Sequence, residues 1–172
     1  DWETLLSEAQ GAEPFRSIID PDDSSFNVPG NLPGAIRTYC QKTNQPEPNS
    51  VGAVARCCLE SLALKYRWVV EAVERLTGQE MDTVRIVGGG SQNALLNQFT
   101  ADACGKQVVA GPVEATALGN LMMQAIATGH IKSIKEGHEA VARSVELKTF
   151  EPESQGNWDG AFEHFTSLTK LS

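Results

Sequence analysis

The 172-residue sequence reads as an α/β protein in which helices flank a small sheet. Three observations lead there. A β-branched run, Thr83-Val84-Arg85-Ile86-Val87, stops at Gly88-Gly89-Gly90 and gives way to Leu95, Leu96, Phe99 and Ala103 at helical spacing. A second short apolar run, Val108-Val109, follows that helix. Residues 51–77 carry the longest helical pattern in the chain.

In chain order, residues 1–9 form a short amphipathic helix with Trp2, Leu5, Leu6 and Ala9 as its stripe, ended by Gly11. Ser17-Ile18-Ile19 is a brief apolar run, and Asp20-Pro21-Asp22-Asp23-Ser24-Ser25 is an acidic turn. The three aspartates lack the glycine and distal glutamate of an EF-hand loop, so a solvated loop is the better reading. Phe26, Pro29, Gly30 and Pro33 extend the loop, with Pro33 at the start of a helix carrying Ala35, Ile36, Tyr39 and Cys40. Pro46 and Pro48 interrupt the pattern, and Ser50 caps the long helix. Its apolar stripe is Val54, Cys58, Leu62, Val69, Val73 and Leu76, with Arg56, Glu60, Lys65, Arg67, Glu71, Glu74 and Arg75 on wet faces and Gly78 as the stop.

After the strand at 83–87, Ser91 is the expected cap of a helix that closes at Gly105. Val108-Val109 is the second strand. Gly111-Pro112-Val113-Glu114 then leads into a helix at 115–128, ended by Gly129, whose Ala115, Ala117, Gly119, Ala125 and Ala127 suit close core packing. Glu114 complements that helix's dipole, worth about 0.3–1 kcal/mol at an exposed site. A helix from Ser133 to 144, a strand over 145–150, a polar loop at 154–160 and a last helix with Phe162, Phe165 and Leu168 complete the chain.

Composition narrows the function classes. Hydrophobic residues make up 41% and charged residues 21%, ordinary for a globular domain, while a net charge of −8 disfavours nucleic acid and anionic membranes. No run approaches the roughly 20 apolar residues that span a bilayer. The start, Asp-Trp-Glu-Thr, has neither a signal peptide's pattern nor an initiator Met, and reads as a fragment. Cys40, Cys57, Cys58 and Cys104 form no Cys-x-x-Cys, so buried thiols are expected rather than zinc ligands; Cys40 and Cys57 lie on successive helices and could meet. His130, His138 and His164 fall in three separate elements, and no Ser-His-Asp order or His-Glu-x-x-His stands out.

Chemistry therefore concentrates at the glycines. Gly88-Gly89-Gly90-Ser91-Gln92-Asn93 lacks the last glycine of the dinucleotide fingerprint and the Gly-Lys-Ser/Thr of a Walker loop. One glycine would suffice for a tight strand-to-helix turn. Three in succession favour a turn whose backbone faces a ligand such as a phosphate or a nucleotide edge.

Longer blocks carry a resemblance. Glu60-Ser61-Leu62-Ala63-Leu64-Lys65-Tyr66, Ile86 to Asn93, Leu95-Leu96-Asn97-Gln98, Ala101-Asp102-Ala103 and Gly111-Pro112-Val113-Glu114-Ala115-Thr116-Ala117-Leu118-Gly119-Asn120 are similar to the C-terminal part of FGGY carbohydrate kinases; Asp20-Pro21-Asp22-Asp23 with Phe26 and Pro29 also resembles that family's segment before its helix. The likeness covers about residues 15–152, and the two glycine-bearing blocks resemble the rhamnulose-type branch more than the glycerol or xylulose kinases. It implies the C-terminal lobe of a two-domain, actin-like ATPase (ribonuclease H-like) fold in a cytoplasmic enzyme. It also implies transfer of the γ-phosphoryl group of ATP, with Mg²⁺, to the terminal hydroxyl of an L-ketose such as L-rhamnulose. Gly88, Gly89 and Gly90, with Gly89 foremost, inherit backbone contact with the nucleotide, and Asn93 an adenine-side contact. The phosphate-binding hairpin, sugar contacts and catalytic aspartate belong to an N-terminal half outside residues 1–172. No aspartate here inherits the base role, and Asp102 reads as structural.

Two readings stand at this point. One is the nucleotide-facing part of a sugar kinase, inactive alone. The other is a stand-alone nucleotide-binding or interaction module. The lack of an acid/base constellation favours the first. Missing early strands of the lobe would leave a sheet edge open beside 83–87, so self-association is expected.

Overall fold

The computed structural model describes residues 1–27, 30–153 and 156–169. Pro29 and residues 154–155 of the polar loop lie outside these. Ten principal elements follow one another: α1 (Trp2–Gly11), α2 (Leu32–Lys42), α3 (Val51–Thr77), β1 (Thr83–Ile86), α4 (Ala94–Cys104), β2 (Gln107–Ala110), α5 (Ala115–Ala127), α6 (Ile134–Ser144), β3 (Lys148–Phe150) and α7 (Trp158–Leu168). The expected helix-rich α/β architecture is present.

Local chemistry starts and stops the helices. Asp1, Asn31, Ser50, Asn93, Ser133 and Asn157 each place a side-chain oxygen on a backbone N–H of the first turn. In α4 the cap is Asn93 rather than the expected Ser91, because Gly89–Gln92 first make a 3₁₀ turn that delays the helix. The sheet has the order β1-β2-β3. β1 and β2 run parallel, with Thr83 opposite Gln107 and Ile86 opposite Ala110. α4 makes the crossover that such a pair requires. β3 is antiparallel to β2, with Phe150 opposite Val108, and is shorter than the run 145–150 suggested.

The main core gathers Ala9, Ile18, Leu64, Phe99, Trp158 and Phe165 from α1, α3, α4, α7 and the segment after α1. A smaller cluster of Ile19, Ile36, Tyr39, Cys40 and Cys57 joins α2 to α3. On α3 the structure corrects the expected faces. Leu59, Ala63 and Leu64 are buried, whereas Val69, Val73 and Leu76 are exposed, Leu76 to 86%. Arg56 and Glu60, expected in water, are 9% and 1% exposed. The reason is that α1 and α4 both pack on α3, enclosing faces that a one-sided helix would leave wet. Trp2, placed on the buried stripe of α1, is 59% exposed. α5 is corrected as well: its small residues do not form core, and none of its residues is fully buried. It meets α6 instead, where Gly137 leaves room for Met122. The four cysteines are free thiols.

Candidate functional site

The site is built where β1 and β2 end. Ile86 and Ala110 are the last residues of the two parallel strands; the chain leaves β2 through Gly111 and β1 through Val87 and Gly88. Two bonds tie the exits together: Gly111 N–H donates to Ile86 O at 2.8 Å, and Gly88 N–H donates to Pro112 O at 3.0 Å. The Gly111–Pro112 peptide is cis. In open α/β sheets the carboxyl ends of parallel strands are where ligands are received.

Gly88 has φ 75° and ψ −161°, a region practically closed to side-chain-bearing residues. The positive φ therefore falls on Gly88, not on Gly89. Gly89 and Gly90 come next and are exposed. A Cβ placed on Gly89 meets no described atom within 4 Å, and one on Gly90 meets only Ile86 Cγ2 at 3.8 Å. Glycine at 89 is thus not demanded by φ or by crowding within the described chain.

Behind the turn, polar side chains hold it in shape. Ser91 Oγ donates to Gly88 O at 2.7 Å. Asn93 N–H donates to Gly90 O at 3.1 Å, while Asn93 Oδ1 accepts from Leu96 N–H at 3.0 Å. Asn93 is 7% exposed, so the residue expected to face adenine is spent chiefly on capping α4. Asn97, wholly buried, donates from Nδ2 to Ser91 O at 2.9 Å, and its Oδ1 has no partner among the described residues. Nothing in the residue type of Asn97 alone marks it for this role. Its signal was an amide between Leu96 and Phe99 on an apolar helix face.

Beside the turn lies an open groove of about 540 Å³, with Val87, Pro112, Leu118 and Met122 among its walls and His138 contributed by α6. No acid/base pair is assembled here. Among the described residues, no group of three or more His, Cys, Asp or Glu could hold a metal ion. Burial pushes all four thiols up, Cys104 to about 12, so none presents a thiolate. Asp102, read as structural, accepts from Gln98 Nε2 at 2.9 Å and Glu153 N–H at 2.7 Å through the same oxygen. No helix among the described residues is long and apolar enough to cross a membrane.

Comparison with known proteins adds a family and a fold. The model of the FGGY family of carbohydrate kinases, C-terminal domain, matches residues 1–128. A rhamnulokinase of Bacteroides thetaiotaomicron is 46% identical over 166 residues, which are 96% of this chain and 34% of that protein. A rhamnulokinase of Bacillus subtilis is 41% identical over 151 residues, 88% of this chain and 31% of that protein. The chain thus spans about a third of the length of these relatives. A crystal structure of xylulose kinase from Rhodospirillum rubrum matches 97% of the chain and 33% of its own, with a TM-score of 0.63 at 17% identity, a likeness of fold.

Proposed function

The chain belongs to the C-terminal domain family of the FGGY carbohydrate kinases, and from that premise we propose that it is the nucleotide-facing lobe of an ATP-dependent kinase acting on L-rhamnulose. The reaction moves the γ-phosphoryl group of ATP to the ketose's terminal hydroxyl and yields L-rhamnulose 1-phosphate and ADP. Residues 1–172 form a C-terminal lobe incomplete on its N-terminal side. The phosphate cradle, sugar contacts and catalytic base come from a preceding half, so the lobe alone is inactive. Support for the ketose comes from the two rhamnulokinases at 46% and 41% identity.

One observation carries the reading of the site. The chain turns at Gly88 with a φ that favours glycine, then presents bare, exposed backbone at Gly89 and Gly90. Nothing within the described residues requires glycine at 89, and a ligand lying against the backbone would. Ser91, Asn93 and Asn97 fix the turn from behind, which lowers the ordering cost of binding. Asn93 has committed its oxygen to the helix cap, leaving its amino group for the adenine edge. Mg²⁺ enters as the ATP complex. Phosphoryl transfer depends mainly on positioning and electrostatics, and a rigid backbone surface is what this lobe contributes.

Gly89→Val in the full-length protein tests this. The expected result is a KM for ATP raised about tenfold or more, corresponding to a loss of at least ~1.4 kcal/mol, with the ketose KM and the melting temperature unchanged. Gly88→Ala should instead cost about 1–3 kcal/mol of stability through its backbone angle. Equal damage to both substrates by Gly89→Val, or a fall in its melting temperature, would reduce the triple glycine to a structural turn.

A further inference from the structure

Asn97 places an amide on the buried face of α4, among Leu96, Phe99, Thr100 and Ala101, and is itself 0% exposed. Thr100, buried on the same helix, returns its hydroxyl to the helix's own backbone, donating to Leu96 O at 2.7 Å. Asn97 reaches outside the helix instead, and its Nδ2 donates to Ser91 O at 2.9 Å. A carbonyl only accepts, so the amide has one possible orientation, with Nδ2 toward the turn and Oδ1 away from it. That Oδ1 is buried and has no partner among the described residues. A buried acceptor without a donor costs stability, so stability alone does not account for an amide at this position.

The bond to Ser91 leads on to the glycines. Ser91 is 7% exposed and holds Gly88 O twice, from its N–H at 3.1 Å and from Oγ at 2.7 Å. The Gly88–Gly89 peptide is trans. In a trans peptide the C=O and N–H point in opposite directions. With Gly88 O drawn toward Ser91, the Gly89 N–H is turned away from it, at an exposed residue where it donates to no described residue. A peptide flanked by two glycines rotates easily unless something holds it. Ser91 supplies the hold, and Asn97 fixes Ser91 by its carbonyl.

We propose that Asn97 is a positioning residue for the nucleotide, acting through Ser91 to aim the Gly89 N–H at the ligand. The proposal rests on the nucleotide reading of the glycine turn and deepens it, because it gives a reason for a buried amide that the fold does not require. Loss of the Asn97 donor releases Ser91 O, and the Gly88–Gly89 peptide then samples other orientations. Nucleotide binding would carry the cost of ordering it. The ketose, whose contacts belong to the preceding half, is unaffected.

The test compares Asn97→Thr, Ser91→Ala and the double variant in the full-length protein. Threonine is close to asparagine in size, removes both the donor and the unpartnered oxygen, and can return its hydroxyl to Asn93 O as Thr100 does to Leu96 O. Each single variant should raise the KM for MgATP and the Kd for MgADP about fivefold, the worth of one hydrogen bond. The KM for L-rhamnulose and the melting temperature of Asn97→Thr should stay unchanged. The double variant should fall short of the product of the two single effects, since both break one relay. Ser91→Ala reads the same relay should Asn97→Thr fold poorly. Unchanged MgADP affinity in the single variants, a full product in the double, or an equal rise in the ketose KM would overturn the proposal. Gly89→Val measured alongside separates the two claims: an effect there with none in Asn97→Thr and Ser91→Ala sinks the relay alone, and no effect in any of the three sinks the nucleotide reading with it.

Discussion

Arg56 and Glu60 illustrate how a single pair organises this chain. They sit one turn apart on α3, close on each other at 2.7 Å, and fasten two other segments: Arg56 holds the end of α1, and Glu60 holds Phe15. The Arg56 guanidinium also lies 5.2 Å from the Phe99 ring centroid. Burial pushes the Glu60 carboxyl up, while the Arg56 hydrogen bond and charge and the Phe15 amide pull it part of the way back. Removing one partner of a buried pair leaves the other charge uncompensated. Arg56→Met should therefore destabilise the protein by about 3–5 kcal/mol near neutral pH. Without Arg56 the folded-state Glu60 pKa rises further above its unfolded value. The contribution of Glu60 to the variant's stability is then fully present below the ordinary carboxylate range and is lost as pH rises through the raised pKa. Melting curves of both proteins from acid to neutral pH check this: the gap should widen with rising pH, and a constant or narrowing gap would show that Glu60 does not depend on Arg56.

Between elements, α1 and α3 approach closely at Gly52. A Cβ on Gly52 would lie 2.5 Å from Glu8 O, a backbone atom that has no rotamer to escape into. Gly52→Ala should push α1 off α3 and cost about 1–3 kcal/mol, read as a lowered denaturation midpoint, whereas Gly11→Ala, with open space around it, should leave the midpoint nearly unchanged. Sequence made the strand, glycine turn and following helix legible, since β-branched residues, glycine and a 3.6-residue period each have a local cause. The caps at Ser50 and Ser133 were legible for the same reason. The faces of α3 were not. Val69, Val73 and Leu76 continue the apolar stripe by spacing, yet which side is enclosed depends on where α1 and α4 land, which is a property of tertiary structure. The same holds for α5, whose alanines and glycine suit close packing but which packs chiefly on α6, with none of its residues fully buried. At the candidate site the glycines were legible from composition. Asn97 was not, because a buried amide within a helix reveals its role only through the carbonyl it meets, here Ser91 O.

Taken whole, the molecule has an open side. β1 is the outer strand of the sheet, with no further strand on its free edge among the described residues. Exposed edges recruit other chains, so residues 1–172 prepared alone should self-associate through this edge. Light scattering over a wide concentration range should show mass rising with concentration; a strict monomer throughout would mean that loops already cover the edge. That open side also fits the proposal that a preceding half completes the enzyme. The most direct measurement is ADP release in the presence of MgATP and L-rhamnulose, made on the full-length protein and on residues 1–172 in parallel. Ketose-dependent release matched one-to-one by L-rhamnulose 1-phosphate in the full-length protein, and none from residues 1–172, is the result expected. Nucleotide turnover indifferent to the ketose, or ketose-dependent turnover by residues 1–172 alone, would contradict the account.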